Sequence, residues 1–263
     1  MTDALSPALA ELARIAHEAG GLILKHYGEA PETRIKADSS PVTAADEEAE
    51  ALILKRLAEI RPGVPVLAEE SAARGHLPNF RDTFILVDPL DGTKEFLKRN
   101  GEFTVNIALV TRGHPVEGVV YAPALSRMFA GDHGGAYEIA ARADGPFDPG
   151  AARRIAARIP PEAGLTAAIS RSHGDTRTEE YLKAYRIAKL VTAGSSLKFC
   201  LIAAGEADLY PRHGPTMEWD TAAGHAVVNA AGGTVTKLDG APFLYGKAAE
   251  GFRNPSFVAR GKG

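Results

Sequence analysis

The chain of 263 residues contains one cysteine, Cys200, one tryptophan and three methionines. A single cysteine excludes an intrachain disulfide and argues against a thiolate zinc site. It suits a reducing compartment, and a cytoplasmic protein is expected. No run of about 18 apolar residues occurs, so no membrane-spanning helix is expected. The opening MTDALSPALAELARIAHEAGG has no basic segment ahead of an apolar one, and no signal peptide is expected. Charge of one sign is also missing. The net charge of −3 gives no general attraction to a nucleic acid polymer or to anionic lipid. There is no internal repeat and no low-complexity linker.

What is present is ordinary globular material, 45% hydrophobic and 24% charged, enough for a sizeable core. Ser6-Pro7 reads as a helix start, a capping hydroxyl followed by proline at the first helical position. Leu9, Leu12, Ile15, Ala16, Ala19 and Ile23 follow at helical spacing, and Gly28 is the expected stop. A second helix begins near Thr43, carries Ala49, Leu52, Ile53, Leu57 and Ile60 on one face, and ends at Pro62-Gly63. The period then changes. Strands are expected at residues 64–68, 84–87, 103–109, 116–121, 127–130 and 136–139, the last two flanking the hairpin Gly131-Asp132-His133-Gly134-Gly135. Beyond residues 140–161, rich in Ala, Gly, Pro and Arg, strand and helix alternate. Strands are expected at 165–170, 190–193, 207–210 and 234–238, with helices at 178–188, 196–204 and 220–231. The expectation is a layered α/β (α+β) protein. An N-terminal α+β subdomain over 1–145 and a C-terminal α/β subdomain over 146–263 would share one cleft.

Four segments carry candidate chemistry, and each has a plain reading beside the functional one. In Val87-Asp88-Pro89-Leu90-Asp91-Gly92-Thr93, Pro89 fixes its own backbone and biases Asp88 toward an extended conformation. Gly92 permits a tight path. Both carboxylates and the Leu90 carbonyl could then converge on a hard cation, or the segment could be a capped turn. Glu69-Glu70 follows another strand and reads as a metal ligand or a solvated pair. Asp220 opens a helix and reads as a ligand or an N-cap. Asp46 completes Thr43-Ala44-Ala45-Asp46, which resembles a capping box.

Taken together, SPVTAAD (40–46), VPVLAEES (64–71), VDPLDGTKEFLKRNGEFTVNIALV (87–110), ISRSH (169–173), GSSLKFC (194–200) and WDTAAGHAV (219–227) resemble the inositol-monophosphatase-like superfamily of Mg²⁺-dependent, lithium-sensitive phosphatases. The Lys94-Glu95-Phe96 continuation is similar to the CysQ-type 3′(2′),5′-bisphosphate nucleotidase branch, whereas inositol phosphatases usually carry asparagine before that phenylalanine. The resemblance implies the layered αβαβα sugar-phosphatase fold. It implies that Glu69, Asp88 and the Leu90 carbonyl hold one Mg²⁺ and that Asp88, Asp91 and Asp220 hold a second. Two or three ions are expected, with Mn²⁺ able to substitute. Asp46 and Thr93 would orient the attacking water, with help from Glu69. The amides of Gly92 and Thr93, at an expected helix start, would receive phosphate oxygens.

A bisphosphate needs a second anion site. Gly194 and Lys198 are candidates at a strand end leading into a helix, although Lys198 also reads as a solvated helix lysine. Ser170 and His173 match positions that approach the nucleotide in the family. Cys200 is expected in the core, Trp219 in a wall of the cleft, and His114, His133 and His225 in no metal site.

The implied reaction removes the 3′-phosphate of adenosine 3′,5′-bisphosphate, with phosphoadenylyl sulfate as a second substrate, in sulfur assimilation. The alternatives are an inositol- or sugar-phosphate phosphatase and, from another class, a non-catalytic nucleotide-binding regulator. A monomer or homodimer is expected, and the resemblance also admits peripheral attachment to the inner membrane face.

Overall fold

The computed structural model describes residues 4–28, 33–35, 41–171 and 175–263. His173 lies outside the described residues. Helix α1 (Pro7–Gly28) starts and stops where Ser6-Pro7 and Gly28 place it. The Ser6 hydroxyl accepts the Leu9 amide hydrogen at 3.2 Å and donates to Asp132 at 2.6 Å. The short pair β1 (Thr33–Ile35) and β2 (Pro41–Thr43) leads into α2 (Ala44–Ile60). The next elements are β3 (Val66–Ala68), α3 (Glu69–Ala73), β4 (Thr83–Asp91) and α4 (Thr93–Leu97).

Five strands continue the first sheet: β5 (Thr104–Thr111), β6 (His114–Ala122), β7 (Arg127–Asp132), β8 (Gly135–Ala140) and β9 (Ala152–Ile155). Strands β3 to β9 lie in sequence order, antiparallel except for the parallel pair β3–β4. The expected boundary at 145/146 therefore falls ahead of a strand that belongs to the first sheet. The chain crosses between sheets in residues 156–164. Strand β9 escapes the periodic pattern because three of its four residues, in Ala-Arg-Arg-Ile, are not buried.

The second half forms β10 (Leu165–Ser170), α5 (Thr176–Leu182), β11 (Ile187–Ala193), α6 (Leu197–Ala203), β12 (Leu209–Arg212), α7 (Glu218–Ala230), β13 (Thr234–Lys237) and β14 (Phe257–Arg260). Its sheet runs β11-β10-β12-β14-β13, and the unexpected β14 pairs antiparallel with both neighbours. The helix expected at 178–188 ends early, since Ile187 already pairs with Leu165.

Strand period explains the layers. In β4, Ile85 and Val87 join the core under α1 and α2, whereas Phe84 and Leu86 join the core against α6 and α7. With both faces covered, the strand reads as one apolar run. Helix α7 packs across β4 to β7. It approaches so closely that a Cβ on Gly118 would lie 2.5 Å from the Ala223 carbonyl oxygen. The inner face of the second sheet contributes Tyr210, Phe257 and Ala259 to this same core, and Leu182 of α5 packs on its outer face. The order α1/α2, seven strands, α6/α7, five strands, α5 is the αβαβα arrangement. The core between the two sheets draws residues from both halves.

Candidate active site

Asp88-Pro89-Leu90-Asp91 does not follow β4; it is the end of β4. Asp88 pairs with Asn106 and Asp91 with Thr104, with an irregularity between them. Pro89 has no amide hydrogen for the ladder, so the strand bulges there. The bulge aims Asp88, Leu90 and Asp91 into a cavity of about 510 Å³ that Glu69, Gly92, Thr93 and Asp220 also line. Glu69 is the first residue of α3. Gly92, at a φ of 90°, turns the chain from β4 into α4. Helix α4 is one turn long, so Gly92 and Thr93 offer amides rather than a long helix dipole.

Asp220 is not an N-cap. Helix α7 begins at Glu218, and the Asp220 carboxylate accepts the Met217 amide hydrogen at 2.8 Å from the third helical position. Asp46 does the same in α2, accepting the Thr43 amide and hydroxyl hydrogens at 2.8 and 2.6 Å. Its other oxygen accepts from the Thr93 hydroxyl at 3.2 Å. The Thr93 hydroxyl also lies 3.4 Å from the Leu90 carbonyl oxygen. Capping and site geometry are thus one structure.

Burial raises the Asp88 carboxyl well above its ordinary value, and the neighbouring charges of Glu69, Asp91 and Asp220 raise it further. Asp220 is raised by burial and by Asp91 and Glu69. Among the described residues, no three acidic, histidine or cysteine side chains form a ready-made cage. Even so, carboxylates that oppose one another's ionisation at the edge of a core need a counter-charge, and the donor set is all oxygen. That set fits Mg²⁺, which takes few protein ligands and keeps water.

A second cavity of about 240 Å³ shares Asp91, Gly92, Thr93 and Asp220 with the first. Its far walls carry Ser170, Arg171, Gly194, Lys198, Tyr210 and Arg212. Lys198 is not a solvated helix lysine. It is 4% exposed and donates to the Ala193 and Ser195 carbonyl oxygens at 3.1 and 2.5 Å. Burial lowers its pKa to about 8. Gly194 is present, but its amide hydrogen goes to Glu102 at 2.7 Å. Glu102 also takes a bidentate pair from Arg171 at 2.6 and 2.7 Å. Ser170 accepts from Arg212 at 2.5 Å, while the buried Arg212 Nε has no partner.

Neither Arg212 nor the polar network behind the acids has a local signature in the sequence. The Ser195 hydroxyl donates to Asp91 Oδ2 at 2.6 Å, and that of Ser196 to the Asp220 carbonyl oxygen at 2.6 Å. Buried Asn106 reaches Ser196 at 3.0 Å and Asp91 at 3.4 Å. The adjacent Ser195-Ser196 pair was the only local hint. Cys200 and Trp219 lie in the core and the cavity wall as expected, and buried His225 meets Tyr245 rather than an acid. Among the described residues no helix is long and apolar enough to cross a membrane.

The same fold occurs in solved structures. The model of the Inositol monophosphatase family matches residues 4–257. The 3′(2′),5′-bisphosphate nucleotidase CysQ of Escherichia coli (strain K12) is 46% identical over 253 residues, covering 95% of this chain and 98% of that protein. The crystal structure of CysQ from Bacteroides thetaiotaomicron superposes with a TM-score of 0.80 at 40% identity, covering 97% of each chain. The extragenic suppressor protein SuhB from Bartonella henselae gives 0.75 at 26% identity, over 97% of this chain and 94% of that one. Matched along nearly its whole length in both sequence and fold, the chain belongs to the inositol monophosphatase family.

Proposed function

We propose that the protein is a Mg²⁺-dependent 3′(2′),5′-bisphosphate nucleotidase that hydrolyses adenosine 3′,5′-bisphosphate to AMP and inorganic phosphate. The observation that carries this reading is the pair of joined cavities. One is lined by Glu69, Asp88, Asp91 and Asp220, the other by Lys198, Arg171 and Arg212, and both share the strip Asp91-Gly92-Thr93. A substrate with a phosphate at each end fits an acid-lined reaction centre beside a cationic one. A monophosphate would leave the buried Arg212 Nε without an acceptor. Relatives bearing this activity as their name cover nearly the whole chain.

Glu69, Asp88, Asp91, Asp220 and the Leu90 carbonyl would hold two Mg²⁺ ions, which would supply positive charge to the phosphoryl oxygens and the leaving oxygen. Thr93 and Asp46 handle the water. Thr43 fixes one Asp46 oxygen, and the other takes the Thr93 hydroxyl hydrogen. The Thr93 oxygen is then oriented to accept a water hydrogen while its own proton moves toward Asp46 Oδ1. Ser170, Arg212 and Lys198 take the remaining phosphate, and Gly194 serves by letting the loop approach Glu102 closely. This activity belongs to sulfur assimilation, where adenosine bisphosphate is a by-product.

Phosphate release with Mg²⁺ or with EDTA tests the reading, comparing adenosine 3′,5′-bisphosphate, inositol 1-phosphate and fructose 1,6-bisphosphate. Mg²⁺-dependent turnover should favour the nucleotide strongly. Preference for a sugar phosphate would discard the substrate but keep the metal site, and no release from any of the three would discard both.

A further inference from the structure

Glu50, in α2, is 1% exposed, and the base that meets it, Arg74, is itself about half exposed. The surroundings of Glu50 explain its burial. Glu50 Oε2 accepts the Glu70 amide hydrogen at 2.7 Å. Oε1 accepts the Ser71 hydroxyl at 2.7 Å and Arg74 Nη2 at 3.2 Å. All three partners belong to α3 or its C-terminal cap, and the first residue of α3 is Glu69, which lines the acid cavity. A five-residue helix cannot hold its own position in water. It is held at its first turn by one buried carboxylate on a long, well-packed helix.

We propose that Glu50 is a positioning residue that fixes Glu69 for the metal, so that its loss weakens Mg²⁺ binding rather than substrate binding. The inference rests on the reading of the acid cavity as a Mg²⁺ site. Glu50 itself faces α3 and touches no reacting atom. Outer hydrogen-bond partners of metal ligands typically govern about 10–100-fold in affinity.

The test is a Mg²⁺ titration followed by thermal melting, without substrate, on wild type, Glu50→Gln and Ser71→Ala. Glu50→Gln keeps the shape but exchanges one acceptor for a donor facing α3. Ser71→Ala removes one hydrogen bond from a partly exposed residue and leaves the fold intact. The Mg²⁺ concentration giving half the stabilisation should rise about tenfold in Glu50→Gln and less, in the same direction, in Ser71→Ala. At saturating Mg²⁺, KM for the nucleotide should be unchanged. If both variants keep the wild-type midpoint within about twofold while only the metal-free melting temperature falls, Glu50 is structural and the inference is overturned. If wild type itself shows no Mg²⁺ stabilisation, the metal reading falls and the inference with it.

Discussion

Asp88→Asn separates the two states of the acid cavity. In the metal-free protein, burial and the charges of Glu69, Asp91 and Asp220 raise Asp88 above its ordinary 3.8, and the protonated carboxyl hydrogen-bonds Glu69. A group raised in the folded state stabilises fully below its unfolded pKa, and that stability is lost as pH rises through the folded pKa. The metal-free wild type should therefore lose stability from the ordinary carboxylate range upward. Asparagine reproduces the protonated form permanently. Its oxygen can keep the hydrogen bond from the Leu90 amide nitrogen, now 3.1 Å from Asp88 Oδ1, and its nitrogen can donate to Glu69. A hydrogen bond to a charged group contributes about 1.5–3 kcal/mol. At about 2–4 °C per kcal/mol for a chain of this size, metal-free Asp88→Asn should melt about 3–12 °C above wild type at alkaline pH and level with it in acid. Magnesium should reverse the ranking. Wild type at about 1,000 times its dissociation constant gains about 4.1 kcal/mol, which the variant forfeits along with turnover. Calorimetry in EDTA and in Mg²⁺, at about pH 5 and about pH 8, measures all four cases. A metal-free variant less stable than wild type at alkaline pH, or one that keeps the Mg²⁺ gain, would refute the reasoning.

Three further outcomes follow from the same geometry. Thr93→Ala should lower kcat by about 10²-fold or more with little change in KM, and Thr93→Ser should recover most of it; steady-state kinetics decide, and equal losses would remove the hydroxyl from the water path. Lys198→Ala should weaken bisphosphate turnover far more than that of a monophosphate. In wild type, because the ammonium is lost above a pKa of about 8, KM for the bisphosphate should climb at higher pH, and a flat profile would exclude Lys198 as an anion ligand. Gly118→Ala sets a methyl against the Ala223 carbonyl oxygen and should cost about 1–3 kcal/mol by urea unfolding; a neutral result would mean that α7 shifts freely.

Much of this site was legible because its acids do two jobs with local signatures. Asp46 and Asp220 close capping interactions at helix starts, and Asp88 and Asp91 flank a proline that breaks a strand ladder. What stayed hidden depends on partners remote in sequence. Glu102 meets Gly194 across 92 positions and Ser195 meets Asp91 across 104, and no local period records either. Lys198 stood between an anion ligand and a solvated lysine, and its burial, set by packing remote in sequence, decides against the solvated one. Strands β9 and β14 were missed for a related reason. Each has four residues, and pairing, rather than alternation, makes it a strand.

The division of labour between the halves has a consequence during biosynthesis. The seven-stranded sheet is complete once residue 155 has been made, and α1 and α2 are already available to cover one face. The other face, with Phe84, Leu86, Val110 and Phe129, waits for α7, which ends 75 residues later. At about 5–20 residues per second, that interval is about 4–15 s on the ribosome. For that time the nascent chain presents a broad apolar sheet face with no cover of its own, the surface a chaperone would be expected to hold. The carboxylate on α7 that completes the acid cavity arrives with the helix that ends this exposure.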